Sequence, residues 1–247
     1  MIEKDSGFVL NRYNFRETSL ITNIYTLRFG KITGILKGFY TGKKEFSSPL
    51  EPASLNELIF YPKKSNIWLI SYVDLIKSYP FLSNDFLKNK IAMTFINLVD
   101  KVMQPNDPNA EVFYLLKDSL EYLEKFSDPR IIYTFLIKFF TISGVKPQLD
   151  KCICCLTKLT DRFFFDVSRG GLVCNNCVRG EVFDINKETV NVFLYIQKNK
   201  FDMIFRLNIS PNSIEEINYI LEKFLLYHLE YKINLKEFIW KEEGYCV

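Results

Sequence analysis

The chain has 247 residues, 48% of them apolar, which is enough for two or three compact units and a sizeable buried interior. Its net charge of +3 is unevenly placed: residues 1–80 carry eleven Lys/Arg against seven Asp/Glu, an excess of four, so that the rest is slightly acidic. That excess favours a polyanion at the N-terminal end, and a normally solvated face accounts for it about as well. No run of about 18 uncharged apolar residues occurs, and Met1-Ile2-Glu3-Lys4-Asp5 lacks the cationic-then-apolar build of a signal peptide. The expectation is a cytoplasmic protein without a membrane partner.

The first 80 residues read as strands and turns. Apolar and β-branched runs at Gly7–Leu10, Leu20–Arg28, Lys31–Leu36, Glu57–Tyr61 and Ile67–Val73 are separated by turn-forming clusters. Five short strands predict a small antiparallel barrel, of which the OB-fold is the commonest of this size. Gly34, Gly38 and Gly42 read as strand-end glycines.

After Pro80 the apolar period changes to about 3.6. Leu87, Ile91, Phe95, Leu98 and Val102 mark one helical face, and Val112, Leu116, Leu120 and Leu123 a second. A third helix is capped by Asp128, has Pro129 in its first turn, and is stopped by Gly144 and Pro147. Its apolar residues Ile131, Ile132, Phe135, Leu136, Phe139 and Phe140 predict burial. Further helices are expected near Lys187–Lys200 and from Ser210 or Ser213, with Ser213 and Glu216 placed for a capping box. The fold class is therefore α+β: an OB-type barrel over 1–80, then a helical domain over 81–247 with a cysteine segment, 144–180, inserted.

In that segment Cys152-x-x-Cys155 and Cys174-x-x-Cys177 are separated by eighteen residues, the spacing of two knuckles closing one tetrahedral thiolate site. The Arg162–Val167 run followed by Gly170-Gly171 reads as a hairpin returning the chain to the metal. One structural zinc per chain is expected, since four thiolates leave no position open for an activated water. An iron–sulfur cluster takes the same ligand set. Cys154 adjoins Cys155; Cys155 is the chosen ligand because its spacing from Cys152 repeats that of the second pair. Cys246 has no partner in sequence.

Catalysis finds little support. The single histidine, His228, sits among Leu225, Leu229 and Tyr231 and reads as a packed or rim residue. No phosphate loop, dinucleotide fingerprint or nucleophile elbow occurs. A non-enzymatic protein is expected.

The order of several motifs resembles the RecO family of bacterial recombinational repair. Gly7-Phe8-Val9-Leu10, Tyr13, Glu17, Ser19-Leu20-Ile21-Thr22, Tyr25-Thr26, Gly30-Lys31, Lys37-Gly38 and Leu50-Glu51-Pro52 look like that family's opening barrel. Gly144-Val-Lys-Pro147-Gln-Leu149-Asp-Lys-Cys152 resembles its entry into the zinc segment, and Phe165 with Gly170-Gly171-Leu172-x-Cys174-x-x-Cys177 its exit. The doubled Cys154-Cys155 departs from the usual pattern. The resemblance implies binding of single- and double-stranded DNA, annealing of complementary strands, and help in loading recombinase onto strands coated by single-strand-binding protein. It also implies two protein partners, RecR and the C-terminal tail of single-strand-binding protein, and a cytoplasmic, nucleoid-associated location.

OB-type surfaces hold strands with cations on phosphates and rings under bases. The residues expected to do so are Arg12, Arg16, Arg28, Lys31, Lys37, Lys43 and Lys44 for charge, with Tyr13, Phe39 and Tyr40 for stacking. About half of such aromatics belong to a core instead. The Lys37–Lys44 loop is preferred because cations and rings interleave around glycines. The competing class is a protein-interaction adaptor whose basic barrel contacts acidic protein tails.

Overall fold

The computed structural model describes residues 2–42, 44–62, 66–126, 128, 130–159 and 162–238, and the chain forms two compact units, Met1–Ser127 and Asp128–Val247. In the first unit β1 (Glu3–Phe15), β2 (Ser19–Thr26), β3 (Gly30–Leu36), β4 (Leu55–Tyr61) and β5 (Ile67–Lys77) close a barrel in the order β1-β2-β3-β5-β4. Closure runs through the parallel pairing of β3 with β5, Thr33–Ile67, Gly34–Trp68 and Ile35–Leu69, which is OB-like connectivity. All five strands expected from the sequence form, and β1 is longer than its apolar run.

Strand alternation fills the interior with Val9, Leu20, Ile24, Leu58, Phe60 and Ile70. Phe60 and Trp68 stack with centroids 5.4 Å apart, and Phe29 meets both edge-on. Gly34 is not at a strand end, as its sequence context had suggested, but in the middle of β3. A Cβ there would lie 2.2 Å from Ile70 Cδ1, so the missing side chain is what admits the β5 residue. Gly38 and Gly42, both at φ 72°, bracket a short 3-10 turn, Phe39–Thr41.

After one turn of helix, α1 (Phe81–Asn84), come α2 (Phe86–Val102) and α3 (Ala110–Lys125). Asp85 caps α2 by accepting from Lys88 N at 2.9 Å, and Asn109 caps α3 by accepting from Glu111 N and Val112 N at 3.0 and 3.2 Å. Both helices lie against the outside of the barrel. Phe8 of β1 meets Phe113 at 5.2 Å, Tyr25 Oη donates to Asn109 O at 3.2 Å, and Asn11 Nδ2 donates to Asp100 Oδ2 at 2.6 Å.

The second unit is built on α4 (Arg130–Ile142), whose six expected apolar residues are all buried. Asp128 Oδ1 accepts from Arg130 N at 2.9 Å at its start, and at its end Val145 N donates to Phe140 O at 3.1 Å beside Gly144, φ 78°. Pro129 and Cys246 lie outside the described residues. A three-stranded sheet follows, β6 (Phe163–Asp166), β7 (Gly171–Val173) and β8 (Phe183–Ile185) in the order β7-β6-β8, then α5 (Lys187–Lys198), α6 (Phe201–Ile204) and α7 (Pro211–Leu229). Phe224 of α7 ties sheet to helix, 5.0 Å from Phe140 and 6.4 Å from Phe165.

The Ser213–Glu216 capping box does not form. Pro211 lacks an N–H and suits the first helical position, so the cap falls on Ser210, whose Oγ accepts from Ser213 N at 3.3 Å. Glu216 instead accepts from Asn186 N at 3.0 Å and Thr189 Oγ1 at 2.6 Å, at the start of α5. Among the described residues no helix is long and apolar enough to cross a membrane.

Because the Gly34 site has no room for a methyl group, Gly34→Ala should destabilise the protein by about 1–3 kcal/mol through overpacking. Urea unfolding measures this; an unchanged midpoint and slope would contradict the close approach.

Candidate metal centre and nucleic-acid interface

The cysteine segment is shaped by backbone bonds before any side chain is considered. In the first knuckle Leu156 N donates to Cys152 O and Cys152 N to Thr157 O, both at 2.9 Å; in the second, Cys177 N and Val178 N donate to Cys174 O at 2.9 and 3.1 Å. The β6–β7 hairpin brings the two together: Ile153 N donates to Leu172 O, and Leu172 N to Gln148 O, both at 2.9 Å. Gly171 makes this possible, because a Cβ there would stand 2.6 Å from Ile153 Cγ2 and 2.7 Å from Gln148 O.

As a result the sulfurs of Cys152, Cys155, Cys174 and Cys177 all lie within 4.8 Å of one another, and the four could hold a metal ion. Sulfurs about 2.3 Å from a tetrahedral ion are about 3.8 Å apart, and Cys155 and Cys174 are 3.7 Å apart. Cys174 N donates to Cys152 Sγ at 3.4 Å, a backbone contact of the kind that orients ligands. Cys154 stays outside the cluster; its sulfur accepts from Arg169 Nη1 at 2.8 Å.

The thiols resist losing all their protons together. Burial works to raise Cys152, but the N–H groups of Cys155, Cys174 and Cys154 outweigh it and hold this thiol down at about 6. Cys177 is pushed up to about 12, first by its hydrogen bond with Cys174 and then by the one with Cys155. A divalent cation among the sulfurs removes that conflict by replacing protons with metal. Nearby, buried Asp166 accepts from Ser168 Oγ at 2.7 Å, Arg169 N at 2.9 Å and Arg169 Nε at 2.6 Å. Burial alone would raise this carboxyl, and these donors instead bring it below the usual carboxylate range.

His228 lies 2.8 Å through Nε2 from Val167 O and packs on Phe224 at 4.2 Å. A carbonyl only accepts, so Nε2 carries the proton, and the residue ties the hairpin turn to α7. A cavity of about 540 Å³ opens beside this tie, walled by Phe165, Phe183, Tyr219, Leu226 and Tyr227. Arg179 and Lys223 line it, with Glu181 the one acid among its lining residues.

On the barrel the expected cations separate into two groups. Arg28 lies at the β2–β3 turn, within 3.8 Å of Glu3 and 3.7 Å of Asp5, and donates to Lys4 O. Lys31, its side chain 15% exposed, is 3.6 Å from Asp100 Oδ1 and donates to Asp100 O. Arg12 donates to Pro49 O and is 2.7 Å from Glu51. These three are held by neighbouring acids and carbonyls.

At the other end of the strands Arg16, Lys37 and Lys44 are exposed, and among the described residues Lys37 and Lys44 make no ion pair. Arg16 lies over the Phe15 ring at 5.3 Å. The β1–β2 turn and the 3-10 turn meet here: Tyr40 N donates to Thr18 O at 3.1 Å and Tyr40 Oη to Asn14 Oδ1. Tyr13 and Tyr40 are 59% and 48% exposed, whereas Phe39 turns inward against the barrel core and Phe46. Lys43 lies outside the described residues.

Strand register adds residues that sequence reasoning missed. Tyr13 pairs with Ile21, Ile21 with Ile35, Ile35 with Leu69, and Leu69 with Tyr61. Ile21, Ile35 and Leu69 each lie between two buried neighbours and so point outward, and pairing extends this row to Tyr13 and Tyr61, giving five residues across five strands, half-buried or exposed. Farther along β1 and β2 the outward residues Phe8 and Tyr25 are covered by α3. Only pairing reveals this row; no local motif announces it.

Comparison with known proteins agrees across the chain. The family models described as recombination protein O N terminal and recombination protein O C terminal match residues 1–79 and 83–237. The chain is 27% identical over 241 residues to DNA repair protein RecO of Thermoanaerobacter sp. (strain X514), covering 96% of each. It is 29% identical over 231 residues to that of Syntrophus aciditrophicus (strain SB), covering 90% of this chain and 89% of the relative. With that of Alkaliphilus metalliredigens (strain QYMF) it shares 26% over 234 residues, 93% of this chain and 95% of the relative.

Cys174→Ser should abolish stoichiometric metal, while Cys154→Ser should retain it, as read by elemental analysis of the purified chains. Because Cys177 keeps its proton up to about 12, metal uptake near neutral pH must release protons, and acidification must drive the metal out. Calorimetry in buffers of different ionisation enthalpy counts those protons. Loss of metal with Cys154→Ser alone, or uptake without proton release, would contradict the four-sulfur site.

Proposed function

The chain belongs to the recombination protein O (RecO) family of DNA repair proteins, and from that premise we propose that it is a non-enzymatic recombination mediator whose barrel binds single- and double-stranded DNA. It anneals complementary strands and, with RecR, helps load recombinase onto strands coated by single-strand-binding protein, in the cytoplasm at the nucleoid. The observation that carries the DNA reading is the grouping at one barrel end of exposed cations, Arg16, Lys37 and Lys44, with the rings of Tyr13, Phe15 and Tyr40. Cations there neutralise phosphates and rings stack on bases. OB-folds bind oligonucleotides on the face of strands 2 and 3 and the flanking loops, and here that face carries the half-buried pair Ile21 and Ile35.

The metal of the four-cysteine site is a single structural zinc held by Cys152, Cys155, Cys174 and Cys177. Four thiolates at tetrahedral spacing suit zinc and leave no open coordination position. The tail of single-strand-binding protein, acidic and ending in phenylalanine, needs an apolar pocket beside a cation. The cavity beside α7, with its aromatic walls, Arg179 and Lys223, supports that partnership.

The experiment is a salt titration of single-stranded DNA binding. Log affinity should fall with log salt by a slope of about −0.7 per phosphate neutralised. Arg16→Ala with Lys37→Ala should weaken binding to all sequences and flatten that slope by roughly 1.4. Tyr40→Ala should weaken single-strand binding by about 1–3 kcal/mol with the slope unchanged. If the folded double variant binds as the parent does, the DNA site is not at this end of the barrel.

A further inference from the structure

The doubled cysteine of the first knuckle is explained by what Cys154 touches. Its sulfur is exposed, lies outside the four-sulfur cluster, and accepts from Arg169 Nη1 at 2.8 Å. The same guanidinium reaches the second knuckle, where Nη2 donates to Cys177 O at 3.5 Å. Its third contact is Nε to Asp166 Oδ2 at 2.6 Å. Arg169 therefore touches both knuckles from outside the coordination sphere, in an orientation set by a carboxylate that is 2% exposed and fixed by Ser168 and by the backbone N–H of Arg169.

Charge gives this arrangement a purpose. Four thiolates around a divalent ion leave a net charge of about −2 on the site. Asp166 adds another negative charge close by, and an anionic cluster without a counter-ion is unfavourable where water is partly excluded. Among the described residues Arg179 donates to carbonyls of its own turn, Val178 O at 2.7 Å and Asn176 O at 3.4 Å. Arg169 bridges the two knuckles, and a planar guanidinium serves three acceptors at once where a lysine ammonium lacks the fixed fork.

We infer that Arg169 is the outer-sphere counter-ion of the metal centre, oriented by Asp166 and anchored by Cys154, and that it slows departure of the metal. Cys154 is then the anchor of this arginine and not a reserve ligand. The inference rests on the reading that the four cysteines hold zinc. Outer-sphere partners of metal ligands typically change metal affinity by about 10–100-fold when removed.

The test uses the full-length, zinc-loaded chain, chased with excess 4-(2-pyridylazo)resorcinol while zinc release is followed by absorbance, with competition at equilibrium as the second readout. Arg169→Gln should release zinc faster and bind it at least about tenfold more weakly. Arg169→Lys should restore part of the loss, because charge returns without the fork. Cys154→Ala should shift affinity in the same direction by less, and it alters an exposed side chain, so it remains informative if Arg169→Gln fails to fold. Zinc affinity within twofold of the parent in a folded Arg169→Gln chain, with only the melting temperature lowered, would make Arg169 a pin of the hairpin turn and overturn the inference. A parent chain that binds no zinc would overturn the metal assignment itself, a different result from failure of the arginine.

Discussion

The parallel pairing of β3 with β5, three residue pairs long, is the constraint on which the first unit depends. It closes the barrel, and it forms at a position where β3 has no side chain: Gly34 lies where any Cβ would strike Ile70. Closure fixes the register of every strand, and with it which residues face water. Core positions alternate with an outward row running from Tyr13 through Ile21, Ile35 and Leu69 to Tyr61, and the two strand ends acquire different surroundings. At one end α2 and α3 cover Phe8 and Tyr25 and supply Asp100 to Lys31. At the other, the β1–β2 turn and the Phe39–Thr41 turn leave cations and rings in water. The same closure thus creates both the packed and the available surface.

The second unit repeats the logic with a different contact. The hairpin β6–β7 approaches the first knuckle across Gly171, and the four sulfurs converge because the backbone is already fixed on both sides. Asp166 holds the turn, Arg169 extends from it to both knuckles, and His228 fastens the turn to α7. The cavity beside α7 shares Val167 and Ser168 with that turn, so the groups that shape the metal segment also shape a wall of the cavity.

What could be read from the sequence was what lies in local spacing. The two Cys-x-x-Cys pairs, the five apolar runs of the barrel and the face of α4 have short-range signatures, and each appears as an element or a cluster in the structure. What could not be read depends on long-range pairing. Arg12, Arg28 and Lys31 looked equivalent to Arg16 and Lys37 until the fold brought Glu51, Asp5 and Asp100 to them. Phe39 and Tyr40 are neighbours in sequence, yet the 3-10 turn sends one to the core and the other to solvent. Of the two starts the sequence left open for α7, Ser210 and Ser213, Pro211 selects Ser210, and Glu216 bonds to the start of α5 instead of closing a capping box. Likewise the role of Cys154 turns on an arginine fifteen residues away.

We propose that nucleic acid lies on the barrel end formed by the β1–β2 turn and the 3-10 turn. The most direct measurement is photocrosslinking of the full chain to a short single strand carrying 5-iodouridine, followed by mass mapping of the adducts. Adducts are expected at Tyr13, Phe15 and Tyr40, whose rings are exposed at that end. Adducts confined to residues 128–238, or to the β2–β3 turn around Arg28 and Lys31, would contradict it.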